Sequence, residues 1–476
     1  MKRIKTIITF PILFLFFHCN SIAQVKTFTI EDAIQTALQK NTDIKIAVMN
    51  VKKADAAVDE AFGYALPSLD LSANFSHYLK KPKMSFPDFE ALLTNATYDI
   101  LFDENIIPRD DSKYRDVNNV LQSFSQANNY QTSLQLTQTL FSSAVFRGIG
   151  ASRIYLDLAK EDLKNKVSEI VLNVQEAFYG VLLTKELLKI TQESFQNAQD
   201  NLSTVNAMFK QGFVSDFDRL QAEVQVENIR PVVSQMENNL VNAKNALKVV
   251  LGMDQMEEID VAGDFKFEKM PNMVEEDMID QAMQSNYSIK SLELKQQVDE
   301  AFVDLDRAEF WPNLAAFGNY TYAGSSEKWN FQNYSSLTVG LSFSINLFRG
   351  WQTKNRIEQS TITYKQTQEQ VNRLKDLIKS QVISKLLELK RVTDLLDAQE
   401  RNVQLAQRAY DIAVVKYKEG TATQMEVQNS DLALKQAKIN RLQSLHSYII
   451  TKFELDQLLG QTDKSYIDVF NEDNDK

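Results

Sequence analysis

Cysteine is almost missing from this chain: Cys19 is the only one among 476 residues. It lies in a leader-like segment, where Lys2, Arg3 and Lys5 precede an apolar run from Ile7 to Phe17 and the small-residue site Ser21-Ile22-Ala23. That pattern predicts a signal peptide over residues 1–23, cut after Ala23. Acylation at Cys19 is the competing reading, disfavoured because His18 stands where a small residue should precede the modified cysteine. Cleavage leaves no cysteine, which excludes a disulfide framework, a thiolate nucleophile and a cysteine-based metal site.

Histidine is nearly as scarce. Of the three, His18 goes with the leader, and His77 and His446 lie far apart in sequence, so no hydrolytic constellation, cofactor site or metal site is expected and both read as surface or packing residues. Positive charge is also in deficit. Cleavage removes three cations from a formal net charge of -11, leaving -14, which argues against a nucleic-acid partner. Thirteen glycines and eight prolines are few for several separate globular units, and predict long uninterrupted helices instead. Beyond the leader no stretch approaches the roughly 20 apolar residues of a membrane helix. A membrane crossing would therefore have to use strands.

What is present is a duplication. Residues 30–75 match residues 275–320 in one register, pairing Ile34 with Ile279, Ala37 with Ala282, Asn41 with Asn286, Lys45 with Lys290, Pro67 with Pro312 and Leu69 with Leu314. Further on, Leu140-Phe141 pairs with Leu347-Phe348, Lys210 and Gly212 with Lys418 and Gly420, and Leu251-Gly252 with Leu459-Gly460. The register changes between the two stretches because the first half carries an extra-long loop. Each half reads as helix, strand, loop, strand, very long helix, tight turn and long return helix.

The long helices carry an apolar residue every seven positions: Val174, Val181, Leu188, Phe195, Leu202 and Phe209, answered in the second half by Val382, Leu389, Leu396, Val403, Tyr410 and Tyr417. This is a coiled-coil seam. Residues 142–211 and 349–419 would each make about 100 Å of helix. Gly212 and Gly420 mark the turns, and Gly252 and Gly460 end the return helices. Pro231, inside the first return helix, is expected to kink or locally break it, whereas Ile439 holds the matching place in the second.

Four segments alternate with period two. The clearest sets Leu337, Val339, Leu341, Phe343, Ile345 and Leu347 against Thr338, Gly340, Ser342, Ser344 and Asn346, one face suited to lipid and the other to water. Residues 69–79, 132–140 and 314–324 follow, with Pro67 and Pro312 at the helix-to-strand junctions. Four strands are too few to close a barrel, so several copies must share one, and three copies would leave a passage.

The turns read Phe209-Lys210-Gln211-Gly212-Phe213-Val214-Ser215-Asp216-Phe217-Asp218 and Tyr417-Lys418-Glu419-Gly420-Thr421-Ala422-Thr423-Gln424-Met425-Glu426. With the duplicated plan, they make the chain resemble the TolC-type outer-membrane efflux protein family over nearly all of its mature length. The resemblance implies a mainly α protein with a membrane β-barrel portion: a homotrimer with a shared twelve-stranded barrel in outer-membrane lipid and a periplasmic tube of long helical hairpins. It implies a passive, non-enzymatic exit duct for efflux or type I secretion. Its partners would be a periplasmic adaptor (membrane fusion) protein and an inner-membrane RND, ABC or similar transporter.

By position, Tyr417, Asp218 and Glu426 match residues that line or constrict the closed periplasmic aperture. Gly212, Phe213, Val214, Ser215, Gly420, Thr421, Ala422 and Thr423 match the tip where the adaptor docks. Ala422 and Asn429 depart from the pattern, where some relatives carry a basic and a second acidic residue. The plan divides the chain into a leader at 1–23, a first repeat at 24–252, an equatorial linker at 253–272, a second repeat at 273–460 and a polar tail at 461–476. The rival reading is a periplasmic coiled-coil scaffold that never enters a membrane.

Overall fold

A computed structural model of the protein describes residues 26–270 and 274–470; the leader expected at 1–23 lies outside the described residues. The first half runs β1 (Lys26–Phe28), α1 (Ile30–Lys40), α2 (Thr42–Gly63), β2 (Ser68–His77), β3 (Met84–Pro87), α3 (Phe89–Asp103), β4 (Asn119–Gln122), β5 (Asn128–Ser142), α4 (Ser143–Lys210) and α5 (Asp216–Leu251). The second runs β6 (Ile259–Val261), α6 (Glu275–Ser285), α7 (Tyr287–Arg307), β7 (Asn313–Ser326), β8 (Gln332–Ser344), α8 (Gln352–Lys418), α9 (Gln424–Leu458) and α10 (Lys464–Asp468). Two units share these elements, one helical and one built on the strands.

In the helical unit (Met1–Asp55, Ile154–Asp299, Thr363–Lys476) the seven-residue stripes face inward except at Phe209, which is exposed. Val174, Val181 and Leu247 are buried in one core with Phe28, Ile34, Ile44 and Leu251. Val382, Leu389 and Leu396 are buried in a second with Ile289, Tyr448, Leu455 and Leu459. The duplication shows atom by atom where α1 gives way to α2 and α6 to α7. Asn41 Nδ2 donates to Val250 O (2.8 Å) while Asn41 Oδ1 accepts from the backbone of Asp43 and Ile44. Asn286 does the same with Leu458 O (3.0 Å), Ser288 and Ile289. Gly252 and Gly460, both with positive φ, seat each return helix against these joints, where a Cβ would collide with Lys40 O and Ser285 O respectively.

Two expectations need correction here. Helix α5 runs unbroken from Asp216 to Leu251 through Pro231, with Val226 and Ile229 before the proline and Val233 after it packed in one cluster with Ala198. Within the linker segment, β6 pairs in parallel with β1, Thr27 opposite Asp260. The tail is not wholly polar. Ile467 is buried in the first core, with Tyr466 and Phe470 packed beside it.

In the strand unit (Ala56–Arg153, Glu300–Ile362) one antiparallel sheet runs in the order β2-β5-β7-β8. Its register lines up Leu71, Leu134, Tyr320 and Leu337 in one row, and Leu69, Leu136, Gly318 and Val339 in the next. Pro67 and Pro312 each stand immediately before a strand, β2 and β7. The long loop between β2 and β5 carries elements of its own. β3 pairs with β4, and α3 is capped by Asp88, whose carboxylate accepts from the backbone of Glu90 and Ala91. Asn95 and Arg115 exchange side-chain to backbone bonds of 2.8 Å across this insertion. Mixed residues gave it no periodicity to read; its order comes from these local caps and from the Phe86 and Phe124 contact.

Candidate functional site: the hairpin turns and the faces of the sheet

Both turns are the same motif. Phe213 N donates to Met208 O and Gly212 N to Phe209 O, each at 2.9 Å; Thr421 N donates to Lys416 O (2.9 Å) and Gly420 N to Tyr417 O (3.0 Å). The glycines adopt φ of 76° and 73°, the left-handed residue such a helix stop requires. Three residues later comes the N-cap of the return helix. Ser215 and Asp218 form a reciprocal capping box, Ser215 Oγ donating to Asp218 Oδ2 (2.7 Å) while Asp218 N donates back at 3.2 Å. Thr423 and Glu426 form its twin, Thr423 N donating to Glu426 Oε2 at 2.6 Å. The recurring acid six residues after each glycine thus has a local reason: it is the third residue of a capped helix. These bonds hold the Glu426 carboxyl below the usual carboxylate range, the Thr423 backbone N–H contributing most.

Between the turns lies a small core of Val205, Ala222, Ala413, Tyr417 and Val427, with Val214 and Ala422 packed against it. Tyr417 is only 5% exposed. Burial first, and the charge of Asp218 second, push its phenol above the usual range. The hydroxyl nevertheless finds no hydrogen-bond partner among the described residues. Tyr417 and Asp218, both matched to the aperture, make no hydrogen bond to each other among the described residues; the Asp218 carboxylate is engaged by Ser215. Glu426 is exposed, and so are Gly212, Ser215, Gly420, Thr421 and Thr423. Phe213 is 73% exposed, an aromatic left largely uncovered by the described residues.

One functional-looking residue escaped the sequence. Asp431, on α9, accepts from Ser194 Oγ (2.9 Å) and Asn197 Nδ2 (3.0 Å) of α4, tying the two hairpins together. Tyr410 lies close by, its phenol pushed up to about 12 by burial and by the charges of Asp431, Asp200 and Asp411. No spacing rule marks a lone Asp in a helix of mixed polarity. Gln428 Nε2 to Gln225 Oε1 (2.6 Å) is a second such tie.

On the sheet, Leu337, Val339, Leu341 and Phe343 are exposed, as are Leu69, Leu71, Phe75, Leu134 and Leu136 in the rows beside them. The opposite face presents Asp70, Ser72 and Asn74 on β2, Gln135 and Ser133 on β5, Asn319 and Thr321 on β7, and Ser336 and Thr338 on β8. Ser133 and Thr321 exchange a hydroxyl bond there at 3.3 Å. His77 Nδ1 pairs with Asn128 Oδ1 at 2.7 Å, and His446 lies beside Phe265 with burial lowering its basicity. No group of three or more metal-ligating side chains occurs among the described residues, and no described helix is long and apolar enough to cross a membrane.

A sheet with one apolar face, one polar face and two open edges, carried by a chain whose other unit is paired capped hairpins, defines a class of helix-extended strand proteins. The chain belongs to the outer membrane efflux protein family, whose model matches residues 33–253 and 278–461. It is 24% identical to the outer membrane protein TolC of Salmonella enteritidis over 357 residues, 73% of this chain and 71% of the relative. The alkaline protease secretion protein AprF of Pseudomonas aeruginosa is 23% identical over 49% of each chain. Among solved structures, the Campylobacter jejuni CmeC outer membrane channel superposes with a TM-score of 0.71 at 16% identity, covering 90% of this chain and 85% of that one.

Proposed function

We propose that the chain is one subunit of a passive outer-membrane exit duct, exported by its leader and serving an efflux or secretion assembly. The observation that carries this is the sheet: a predominantly apolar band on one face, a hydroxyl- and amide-rich opposite face, and unpaired edges at β2 and β8. In lipid such edges must be paired, so β8 of one copy meets β2 of the next, and three copies close twelve strands around a water-filled bore. A periplasmic scaffold has no use for that apolar band. The names of the relatives support both efflux and protein secretion as the service performed.

The hairpin turns are the periplasmic tip in this reading. Phe213, Phe217 and Met425, all exposed, supply the apolar surface on which an adaptor protein, itself coupled to an inner-membrane transporter, would dock. Asp218 and Glu426 give the lumen its acidic rings, while Tyr417 supports them from the tip core. The folded insertion between β2 and β5 faces the cell exterior.

The test is physical. The protein should leave membranes only with detergent, sediment as three copies, migrate differently on gels when unheated, and conduct in planar bilayers with a preference for cations that Glu426→Gln weakens. A monodisperse, water-soluble monomer would overturn the reading.

A further inference from the structure

The sheet's apolar band ends in exposed aromatics at both margins, and two of them pay for their position in backbone geometry. Trp329, in the β7–β8 turn, and Trp351, just before α8, adopt φ of 59° and 66°, a region bulky side chains rarely enter. Both rings are largely exposed, at 70% and 65%. At the hairpin margin, Trp329 stacks on Phe75 and meets Phe331, which in turn meets Tyr130. At the helical margin, Trp351 packs edge-on to Phe348, and Phe141 meets Phe146. Aromatic rings at the two ends of a lipid-facing strand surface mark the two interfaces of a bilayer.

The helical margin adds charge. The stretches 117–156 and 328–357 contain no acidic residue, in a chain of formal net charge -11. Just past the ends of β5 and β8 they place Arg147, Arg153, Arg349, Lys354 and Arg356. Three of these are neutralised from α7 and the residues after it: Arg147 by Asp304, Arg349 and Arg356 by Glu309. Arg153 and Lys354 have no acidic partner among the described residues. Each lies across an aromatic ring instead, Arg153 at 5.1 Å from the Phe62 centroid and Lys354 Nζ at 5.6 Å from that of Trp351. Set over rings at the margin of the band and without an acidic partner among the described residues, these two cations keep donors available at headgroup depth. The arrangement fits a phosphodiester whose acyl chains lie along the apolar band.

We propose that Arg153 on Phe62 and Lys354 on Trp351 form a collar binding anionic phospholipid of the periplasmic leaflet. The proposal rests on the outer-membrane reading above and adds to it a lipid class and two residues. Its chemistry is that of a phosphate group attached to a diacyl tail; free phosphate lacks the tail that the exposed band would hold.

The full-length protein would be placed in nanodiscs of phosphatidylethanolamine containing a minority of phosphatidylglycerol, extracted with mild detergent, and its co-purifying lipid measured. Phosphatidylglycerol should be enriched over the bulk ratio, and Arg153→Gln and Lys354→Gln should each reduce the enrichment by up to about fivefold, the factor for one basic residue at an anionic surface. Lys80→Gln with Lys83→Gln, at the other margin, should leave it unchanged. Inorganic phosphate added at extraction should not compete; full displacement by it would show a plain anion site and sink the lipid assignment. A trimer that inserts yet retains lipid at the bulk ratio, or one whose enrichment survives both substitutions, would overturn the collar and leave the duct intact. Failure of the unsubstituted protein to insert would overturn the duct itself.

Discussion

Tyr417 lies within the electrostatic reach of Asp218 without bonding to it: the charge helps raise the phenol, while the carboxylate is held by Ser215 on its own turn. A gate built on a direct bond between them is therefore not a property of one chain. Since the hydroxyl is buried and unpartnered, Tyr417→Phe should leave melting temperature unchanged or slightly raised. Tyr417→Ala should cost about 3–5 kcal/mol by opening a cavity at the tip. Single-channel conductance in bilayers separates the roles: an increase in Tyr417→Phe would mean the hydroxyl finds a partner in the assembled channel after all.

The glycines allow a comparison at nearly constant backbone angle. Gly212 and Gly460 have φ of 76° and 64°, but a Cβ at Gly212 meets nothing within 4 Å, whereas at Gly460 it runs into Ser285. Gly212→Ala should cost only the left-handed penalty, about 1–2 kcal/mol. Gly460→Ala should cost clearly more and push α9 off the α6–α7 joint. Chemical denaturation of both variants, with Gly252→Ala as the first-half twin of Gly460→Ala, measures the difference.

Opposite faces of β8 should respond oppositely to charge. Leu341→Arg places a cation on the apolar face near mid-span and should cost about 2–4 kcal/mol, seen as loss of folded protein in outer membranes. Ser342→Arg, one residue along and on the polar face, should fold normally and alter ion selectivity. Equal tolerance of both would mean that the band does not face lipid.

Asp456, near the end of α9, is pushed up to about 6 by burial, with Lys452 opposing. In the unfolded chain the carboxyl ionises near its ordinary 3.8, so between the two values unfolding releases a proton and stability falls as pH rises. Above pH 6 the loss is complete, at most about 2–3 kcal/mol. Asp456→Asn should therefore raise the melting temperature at pH 7.5 and not at pH 3.5. A gain that is equal at both would point to packing and not to the charge.

The long helices, their glycine stops and the four strands were legible because each repeats a period or a breaker many times over, and the duplication shows every signal twice. Asn41 and Asn286 could be paired from sequence, though their task, locking a helix joint to a return helix, could not. The β1–β6 pair was illegible because three residues hold no period, and the insertion because its order comes from caps and ring contacts between residues far apart. Pro231 was expected to kink or break α5; the helix is not broken there, a position where Val226, Ile229 and Val233 share a cluster with Ala198. The turn acids were found by their spacing, but that spacing is already explained by Ser215 and Thr423, so a luminal role for them must come from experiment.

The open edges of the sheet have a genetic consequence. A copy with proline in place of Val339 could no longer lend its β8 ladder, yet its β2 would still be acceptable to a neighbour, so it would enter rings and spoil them. If three copies share each ring, a cell making equal amounts of sound and faulty chains would retain only about one eighth of its rings intact. Such an allele should behave as dominant, whereas a deletion of the whole gene should be recessive.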